Sequence, residues 1–180
     1  MSKKIIRLLP VMAILFFTQI LGAEDALSNN NYLEEGNEYV KNGKYDEAIF
    51  YYTEALKTTA DVALMHYNLG VVYGKKGMWD KAIAEYETVL ELLPGDADTY
   101  YNLGIAYGNA GKWNLAYKMF KKLVQLQPKD SDAHYNLALI GVILNNKEVI
   151  AAEYKILEKI APDLALKIED MLNKANLSIV

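Results

Sequence analysis

The chain has 180 residues, of which 52% are hydrophobic and 23% charged, a composition typical of a folded domain rather than a disordered tail. It contains no cysteine, which excludes thiol catalysis, thiolate metal sites and disulfide bonds. The net charge of −4 and the single arginine, Arg7, argue against nucleic-acid binding, which depends on basic contacts to phosphates and bases.

The first 23 residues have the layout of a secretory signal peptide. Basic residues come first, an almost wholly apolar stretch follows, and Ala23 is a small residue just before an acidic pair. We predict cleavage after Ala23 and export to the periplasm or cell envelope, with 24–28 as a short linker. The alternative is an anchor helix over 5–21 in the inner membrane, but the uncharged stretch is shorter than the about 20 residues that a span needs.

Cleavage would make the protein more acidic. It would remove Lys3, Lys4 and Arg7, which lowers the count of basic residues from 19 to 16 against 23 acidic ones, so the net charge would fall from −4 to −7. The mature chain would contain no arginine. We therefore expect no nucleic-acid partner, and we expect contact with a membrane only through an uncleaved N-terminal segment.

A period of 34 residues organises the remainder of the chain. Leu69-Gly70 is followed three residues later by Tyr73, and the same pattern returns at 103–107. A unit of this size cannot bury its apolar face alone, so neighbouring copies must stack. Counted in this register, the chain holds four units, namely 29–62, 63–96, 97–130 and 131–164.

Each unit is predicted to contain two helices. Apolar residues return at intervals of three and four, as in Ala116, Phe120 and Leu123, which is helical periodicity. Prolines lie between the units, aspartates follow as N-caps, and glycines mark the turn inside the unit. These residues are Pro94, Pro128 and Pro162, then Asp61, Asp96 and Asp130, and then Gly77 and Gly111.

These residues resemble the tetratricopeptide repeat, whose signature is an aromatic residue, Leu-Gly, Tyr, and then Ala, an aromatic residue and Pro. The third unit matches it fully, and the second differs only at His66 and Tyr86. The resemblance covers residues 29 to about 176 and implies an all-α solenoid of four helix-turn-helix repeats. The first and last units depart from the signature, as terminal repeats do because one side has no neighbour.

A C-terminal capping helix is predicted over 165–176, followed by a tail over 177–180. Leu164, Ile168, Met171 and Leu172 form one apolar stripe there, which is typical of a helix with one buried face. In proteins of this kind such a helix covers the last apolar surface. Gly141, which replaces the signature tyrosine of the fourth unit, is expected to leave room for it.

No catalytic motif is present, so we predict that the protein is not an enzyme and binds no cofactor or metal. The two histidines, His66 and His134, occupy the fourth position of their units. Since that position holds an aromatic residue in the signature, packing is the favoured interpretation over metal binding.

The resemblance implies that the first helix of each unit lines a concave groove, chiefly through unit positions two, five, six, nine and twelve. Tyrosine recurs at position five and asparagine at position six, and an amide can satisfy both the N–H and the C=O of a bound peptide backbone. The alternative is that this Tyr-Asn pair supports helix packing. The predicted peptide-binding residues are Asn37, Tyr67, Asn68, Val71, Tyr101, Asn102, Ile105, Tyr135 and Asn136.

Two further features concern the predicted groove, namely its glycines and a clamp for carboxylates that is known in the family. Gly74 and Gly108 share position twelve, where a frayed helix end explains them better than close approach of a ligand. Some tetratricopeptide proteins grip a chaperone's C-terminal carboxylate through lysine, arginine and asparagine. The corresponding places here keep two asparagines, lack every cation and include Asp98, so we predict no such clamp.

The leading hypothesis is an envelope adaptor that binds a segment of a protein or peptide partner in its groove. The alternative is an assembly component that acts by self-association or by packing on its convex face, in which case a homo-oligomer is expected. The apolar end 177–180 would favour that alternative.

Overall fold

The computed structural model describes residues 31–174, and within that range the chain forms helices and no strand. The predicted signal peptide, linker and C-terminal tail lie outside these residues. The helices are α1 over 31–41, α2 Tyr45–Leu56, α3 Val62–Lys75, α4 Trp79–Leu92, α5 Ala97–Asn109, α6 Trp113–Leu126, α7 Ser131–Ile143, α8 Lys147–Ile160 and α9 Pro162–Lys174.

The helices pack in chain order as antiparallel pairs joined by short turns. Contacts are densest within the pairs α3–α4, α5–α6 and α7–α8, and each pair also packs on the next through α4–α5 and α6–α7. The first helices α3 and α5 of successive pairs touch as well. This arrangement confirms the predicted α-solenoid.

Aspartates fix the beginning of three first helices. The carboxylate of Asp61 accepts a hydrogen bond from the backbone N–H of Leu64 at 3.1 Å, and Asp96 does the same for Thr99 at 2.8 Å. Asp130 repeats the geometry one unit later. The predicted N-caps are thus confirmed, and each satisfies one of the backbone donors that the first turn of a helix leaves free.

The turn inside each pair depends on one residue with a left-handed backbone. Gly43, Gly77 and Gly111 have φ of 70°, 71° and 72°, and Asn145 takes the equivalent place in the last pair with φ of 53°. Asparagine is among the few other residues that tolerate this region. The predicted role of Gly77 and Gly111 is confirmed, and the departure at Asn145 keeps the same turn.

Each of the first three pairs is held together by a glycine beneath an aromatic ring. A Cβ added to Gly36 would lie 2.5 Å from Tyr52, and one added to Gly70 would lie 2.6 Å from Tyr86. Gly104 stands in the same relation to Phe120, at 2.7 Å. The absence of a side chain therefore lets the two helices of the pair approach closely.

The last pair shows what happens when this glycine gains a methyl group. Ala138 replaces it, and Tyr154, the ring at the matching position, is only half-buried while its three counterparts are buried. The Tyr154 hydroxyl lies 3.5 Å from Glu169 of α9. In this pair the ring packs on a core cluster that α7 and α8 share with the C-terminal helix α9.

Helix α9 covers the end of the stack, where it packs on both α7 and α8. Its buried stripe consists of Ala165, Ile168 and Leu172. The helix begins at Pro162, three residues before the predicted start, because proline at the first helical position gives up an N–H that would have no partner in the helix. Only Ala161 separates it from α8.

The expectation for Gly141 was wrong. The atoms nearest to the place that its Cβ would take belong to Ile150 and Val149 of α8, at 3.0 and 3.2 Å. The glycine therefore makes room for the second helix of its own pair rather than for the capping helix. Among residues 31–174, no helix combines the length and the apolar character needed to cross a membrane.

Candidate functional site

The predicted tyrosine and asparagine rows lie on the first helices α3, α5 and α7, and their side chains are half-buried. Tyr67 packs edge-on against Tyr86, with ring centroids 5.9 Å apart, and Tyr101 packs in the same way on Phe120 at 5.8 Å. The rows therefore rest on the aromatic rings that hold each helix pair together. Asn37 of α1 is exposed.

A hydrogen bond joins the two rows across successive helix pairs. The Asn102 amide of α5 donates to the Tyr67 hydroxyl of α3 at 2.8 Å. Burial and the negative charge of Asp98 raise the pKa of Tyr67, and the bond from Asn102 opposes that rise. Burial and the charge of Asp132 raise the pKa of Tyr101 in the same way, and the Asn136 amide of the next pair opposes that rise. The Asn136 amide itself donates a 2.8 Å hydrogen bond to the backbone carbonyl of Asp132, so the bond between the two rows is made by Asn102 and Tyr67.

The remaining predicted site residues are placed less uniformly. Val71 and Ile105 are half-buried against the central core cluster, and Tyr135 packs on the C-terminal one. Asn37 does not join the rows, because its side-chain oxygen accepts a 2.7 Å hydrogen bond from Tyr52 within its own pair. Asn68 is half-buried on α3. The structure therefore brings together the residues of α3, α5 and α7 and leaves Asn37 apart.

Two hollows open between the first helices. The first has a volume of about 290 Å³ and lies between α3 and the start of α5, with Tyr67, Leu64 and Leu93 among its lining residues. The second, of about 220 Å³, lies between α5 and the start of α7 and is lined by Tyr101 and Asn102. The hollows share Tyr67 and Asp98, so they adjoin one another.

Aspartates are among the residues that line both hollows. Asp61, Asp96 and Asp98 line the first, and Asp98, Asp130 and Asp132 line the second. No lysine or histidine is among the residues that line either hollow. The sequence predicts Asp61, Asp96 and Asp130 as N-caps and Asp98 as an obstacle to a carboxylate clamp, but it does not predict that they line the groove together with Asp132. The signal in the sequence is the recurrence of Asp96 and Asp98 as Asp130 and Asp132, 34 residues later.

Comparisons with known proteins agree with this geometry. A family model described as TPR repeat matches residues 36–77 and 75–111, and a tetratricopeptide repeat model matches 98–130. Together they span 36–130, more than half of the 180 residues. The chain belongs to the tetratricopeptide repeat family. No curated protein sequence matches it.

Solved structures of similar proteins share the fold. The chain is 24% identical to YrrB, described as a TPR protein with an unusual peptide-binding site, with a TM-score of 0.71 over 91% of this chain and 88% of the other. A tetratricopeptide repeat protein from Parabacteroides merdae gives a TM-score of 0.78 at 18% identity, over 82% and 60%. The first TPR of Spaghetti (RPAP3), bound to the HSP90 peptide SRMEEVD, gives 0.62 at 25% identity, over 67% and 95%.

The histidines of this tetratricopeptide protein pair with acids inside their own repeats. His66 Nδ1 lies 2.6 Å from Glu85 Oε2, and His134 Nδ1 lies 2.6 Å from Glu153 Oε2. Within the described part of the chain, neither belongs to a group of side chains placed to hold a metal ion. The signal was present in the sequence, since histidine at unit position four coincides with glutamate at position twenty-three in both repeats.

The position-twelve glycines face tryptophans of this repeat family member rather than the groove. Gly74 and Gly108 lie near the ends of α3 and α5, as predicted, and their Cβ positions would be 3.6 and 3.3 Å from the rings of Trp79 and Trp113. The tryptophan that begins the second helix therefore packs across the turn against this position, tightly at Gly108 and at ordinary contact distance at Gly74. The sequence carried this signal too, because glycine and tryptophan occur together in the same two repeats.

Substitution of Tyr67 by phenylalanine is expected to lower the free energy of unfolding by about 0.5–1.5 kcal/mol, because the half-buried amide of Asn102 loses its hydrogen-bond acceptor. Urea denaturation measures this change. Combining it with Asn102→Ala should cost less than the sum of the two single changes.

The matched control is Tyr135→Phe, at the same unit position, whose hydroxyl has no hydrogen-bond partner within 31–174. It should change stability by about 0.5 kcal/mol or less. Equal effects at Tyr67 and Tyr135, or strict additivity with Asn102→Ala, would show that the bond between repeats contributes nothing.

Proposed function

We propose that this tetratricopeptide protein is a non-enzymatic adaptor of the cell envelope, which holds an extended segment of a partner protein in its concave groove. Over residues 31–174 the fold presents a repeated surface, and such scaffolds act through the side chains that line that surface. The observation that carries the proposal is the alignment of the tyrosine and asparagine rows of α3, α5 and α7 beside two adjoining hollows.

The size of the hollows favours side chains of a peptide over a small-molecule ligand. The volume of the first, about 290 Å³, is at the lower limit of the about 300–1,000 Å³ typical of small-molecule pockets, and that of the second, about 220 Å³, is below it. Because they recur from one repeat to the next, a chain that runs along the groove meets them in succession. Tyrosine suits such contacts because it offers a broad, rigid surface with a polar tip.

Two of the similar structures support peptide binding as the mode of action. One is described as having an unusual peptide-binding site, and another was solved with a bound peptide. The envelope location rests on the N-terminal sequence, where a basic start and an apolar stretch precede Ala23. N-terminal sequencing of the exported protein tests that part, since a chain that begins at Glu24 is expected.

Site-specific photo-crosslinking tests the groove in the native envelope. A photoreactive amino acid at Asn68, on α3, is expected to form adducts that map to one contiguous segment of a partner. The control position is Leu115, which is 36% exposed on the second helix α6. Adducts formed only from Leu115, or only between two copies of this chain, would contradict groove binding and support the assembly role instead.

A further inference from the structure

We propose that the segment held in the groove is basic, and that its lysine or arginine side chains occupy the two hollows beside Tyr67 and Tyr101. This inference rests on the proposed function and names the chemistry of the partner. It follows from the charge that lines the hollows, from the absence of any compensating cation there, and from the apolar surface beside the acids.

The first hollow is lined by three carboxylates and no cation. Asp61 and Asp96 cap their helices and so accept backbone N–H donors, whereas Asp98 neither accepts a hydrogen bond nor forms an ion pair within 31–174. Its side chain is exposed at the rim. Asp98 therefore keeps its full capacity to bind an incoming cation.

The second hollow repeats the pair Asp96 and Asp98 as Asp130 and Asp132, 34 residues later, but Asp98 and Gln127 take the places of Leu64 and Leu93. Asp130 caps α7, and Asp132 has the same exposed place as Asp98 with a carboxylate that no described residue engages. Both carboxylates act on the groove, because their charges raise the pKa of Tyr67 and Tyr101. A ligand that advances from one repeat to the next therefore meets such a pair of aspartates twice.

The helix dipole does not cancel this charge. The N-terminus of a helix carries the equivalent of about half a positive charge, whereas the cap and the second-position aspartate together bring two negative charges to the start of α5 and again to α7. Lys75 lies near the other end of α3. With a helical rise of 1.5 Å per residue, it is roughly 16 Å along the helix axis from Leu64, which lines the first hollow. The residues that line the two hollows at the start of the first helices are thus net negative.

Apolar surface beside the acids fits the stem of a basic side chain. Leu64 and Leu93 line the first hollow and are 37% and 49% exposed. Lysine and arginine bury their methylene stems against such surface while the charged head stays near water and carboxylate. The ring of Tyr67, which lines both hollows, offers a face for a cation as well.

The same charges disfavour an acidic ligand. The peptide SRMEEVD, seen on a similar tetratricopeptide protein, carries three acidic side chains. In this chain such a peptide would approach Asp98 and Asp132 with no cation among the lining residues to offset the repulsion. The partner of this protein therefore has the opposite charge.

Three fluorescein-labelled peptides of twelve residues test the proposal by fluorescence anisotropy at low salt, with lysine, glutamine or glutamate alternating with serine. The purified protein is expected to bind the lysine peptide, to bind the glutamine peptide at least about tenfold more weakly, and not to bind the glutamate peptide. The double substitution Asp98→Asn, Asp132→Asn should weaken binding of the lysine peptide about tenfold.

The matched control removes the same charge elsewhere. Glu47→Gln with Glu148→Gln also neutralises two first-turn acids, but these lie on the second helices α2 and α8. It should weaken binding less than about threefold. Equal losses in the two double variants would reduce the effect to general attraction by an acidic protein and overturn the proposal. A peptide of residues 2–9 that binds more tightly than the lysine peptide would assign the hollows to this chain's own N-terminal segment.

A third variant separates this inference from the proposed function. If the glutamine peptide binds as tightly as the lysine peptide, and Tyr67→Ala with Tyr101→Ala abolishes both, the basic partner is wrong and groove binding stands. If that variant, with its helical circular dichroism intact, leaves peptide binding unchanged, or if no peptide binds the intact protein, both proposals fall.

Discussion

Replacing Phe120 with alanine is expected to lower the free energy of unfolding by about 3–5 kcal/mol. The ring is 2% exposed and lies in the central core cluster, between Gly104 of its own repeat and the edge-on ring of Tyr101. Its removal leaves a cavity that neighbouring helices cannot fill without moving. Urea denaturation followed by circular dichroism measures the loss.

The position of Phe120 in the third repeat should also affect cooperativity. In a repeat protein each unit is stabilised by its immediate neighbours, so a weak interior unit uncouples the repeats on either side of it. We expect a broader unfolding transition as well as a lower midpoint. The control is Phe50→Ala, a ring of the same size that is 57% exposed on α2 and should cost about 0.5 kcal/mol or less. Equal costs at the two sites would contradict the assigned core.

Alanine at Gly104 is expected to destabilise the protein by about 1–3 kcal/mol. The added Cβ would lie 2.7 Å from Cε2 of Phe120 and 2.8 Å from its Cζ, and the ring is buried and cannot swing aside. This result is the reverse of the helix preference, under which alanine is favoured over glycine by about 1 kcal/mol in a helix interior. Differential scanning calorimetry or urea denaturation provides the measurement.

Gly74→Ala serves as the control for that change. Its Cβ would lie 3.6 Å from the nearest atom, a ring carbon of Trp79, which is an ordinary contact distance. It should be neutral or slightly stabilising. The clash is tested further by Phe120→Leu in the Gly104→Ala background, where the two costs should be less than additive because the smaller side chain makes room. Full additivity would show that the close approach does not set the cost.

Much of this fold could be predicted because the same local sequence features, such as N-caps and turn glycines, occur in several repeats. The N-caps Asp96 and Asp130 are 34 residues apart, Asp61 comes 35 residues before Asp96, and each has a short-range partner three residues ahead. Turn glycines such as Gly77 are equally local, since a left-handed residue is needed wherever the chain reverses in that way. Local chemistry with a fixed period is what a single sequence reveals best.

The parts that escaped prediction depend on contacts between different helices. Asn102 binds Tyr67 of the preceding repeat, a separation of 35 residues, and the sequence placed both on one helix face without showing that they meet. At Gly141 the sequence showed that space was needed but not which helix fills it. The acidic groove could not be predicted from the N-caps because each cap is a local feature, whereas the charge of the groove comes from aspartates at the starts of three helices.

The junction between α8 and α9 determines how this protein could have lengthened during evolution. With Ala161 as the only residue between them, and with Ile168 and Leu172 already lying on the last repeat, a copy added at that end would have to displace the helix that seals it. A duplicate of 97–130 placed just before Ser131 would instead find matching surfaces on both sides and would carry a second copy of Asp98. New units are therefore expected to arise from the interior of the chain, and each would add one more acidic hollow for a longer ligand.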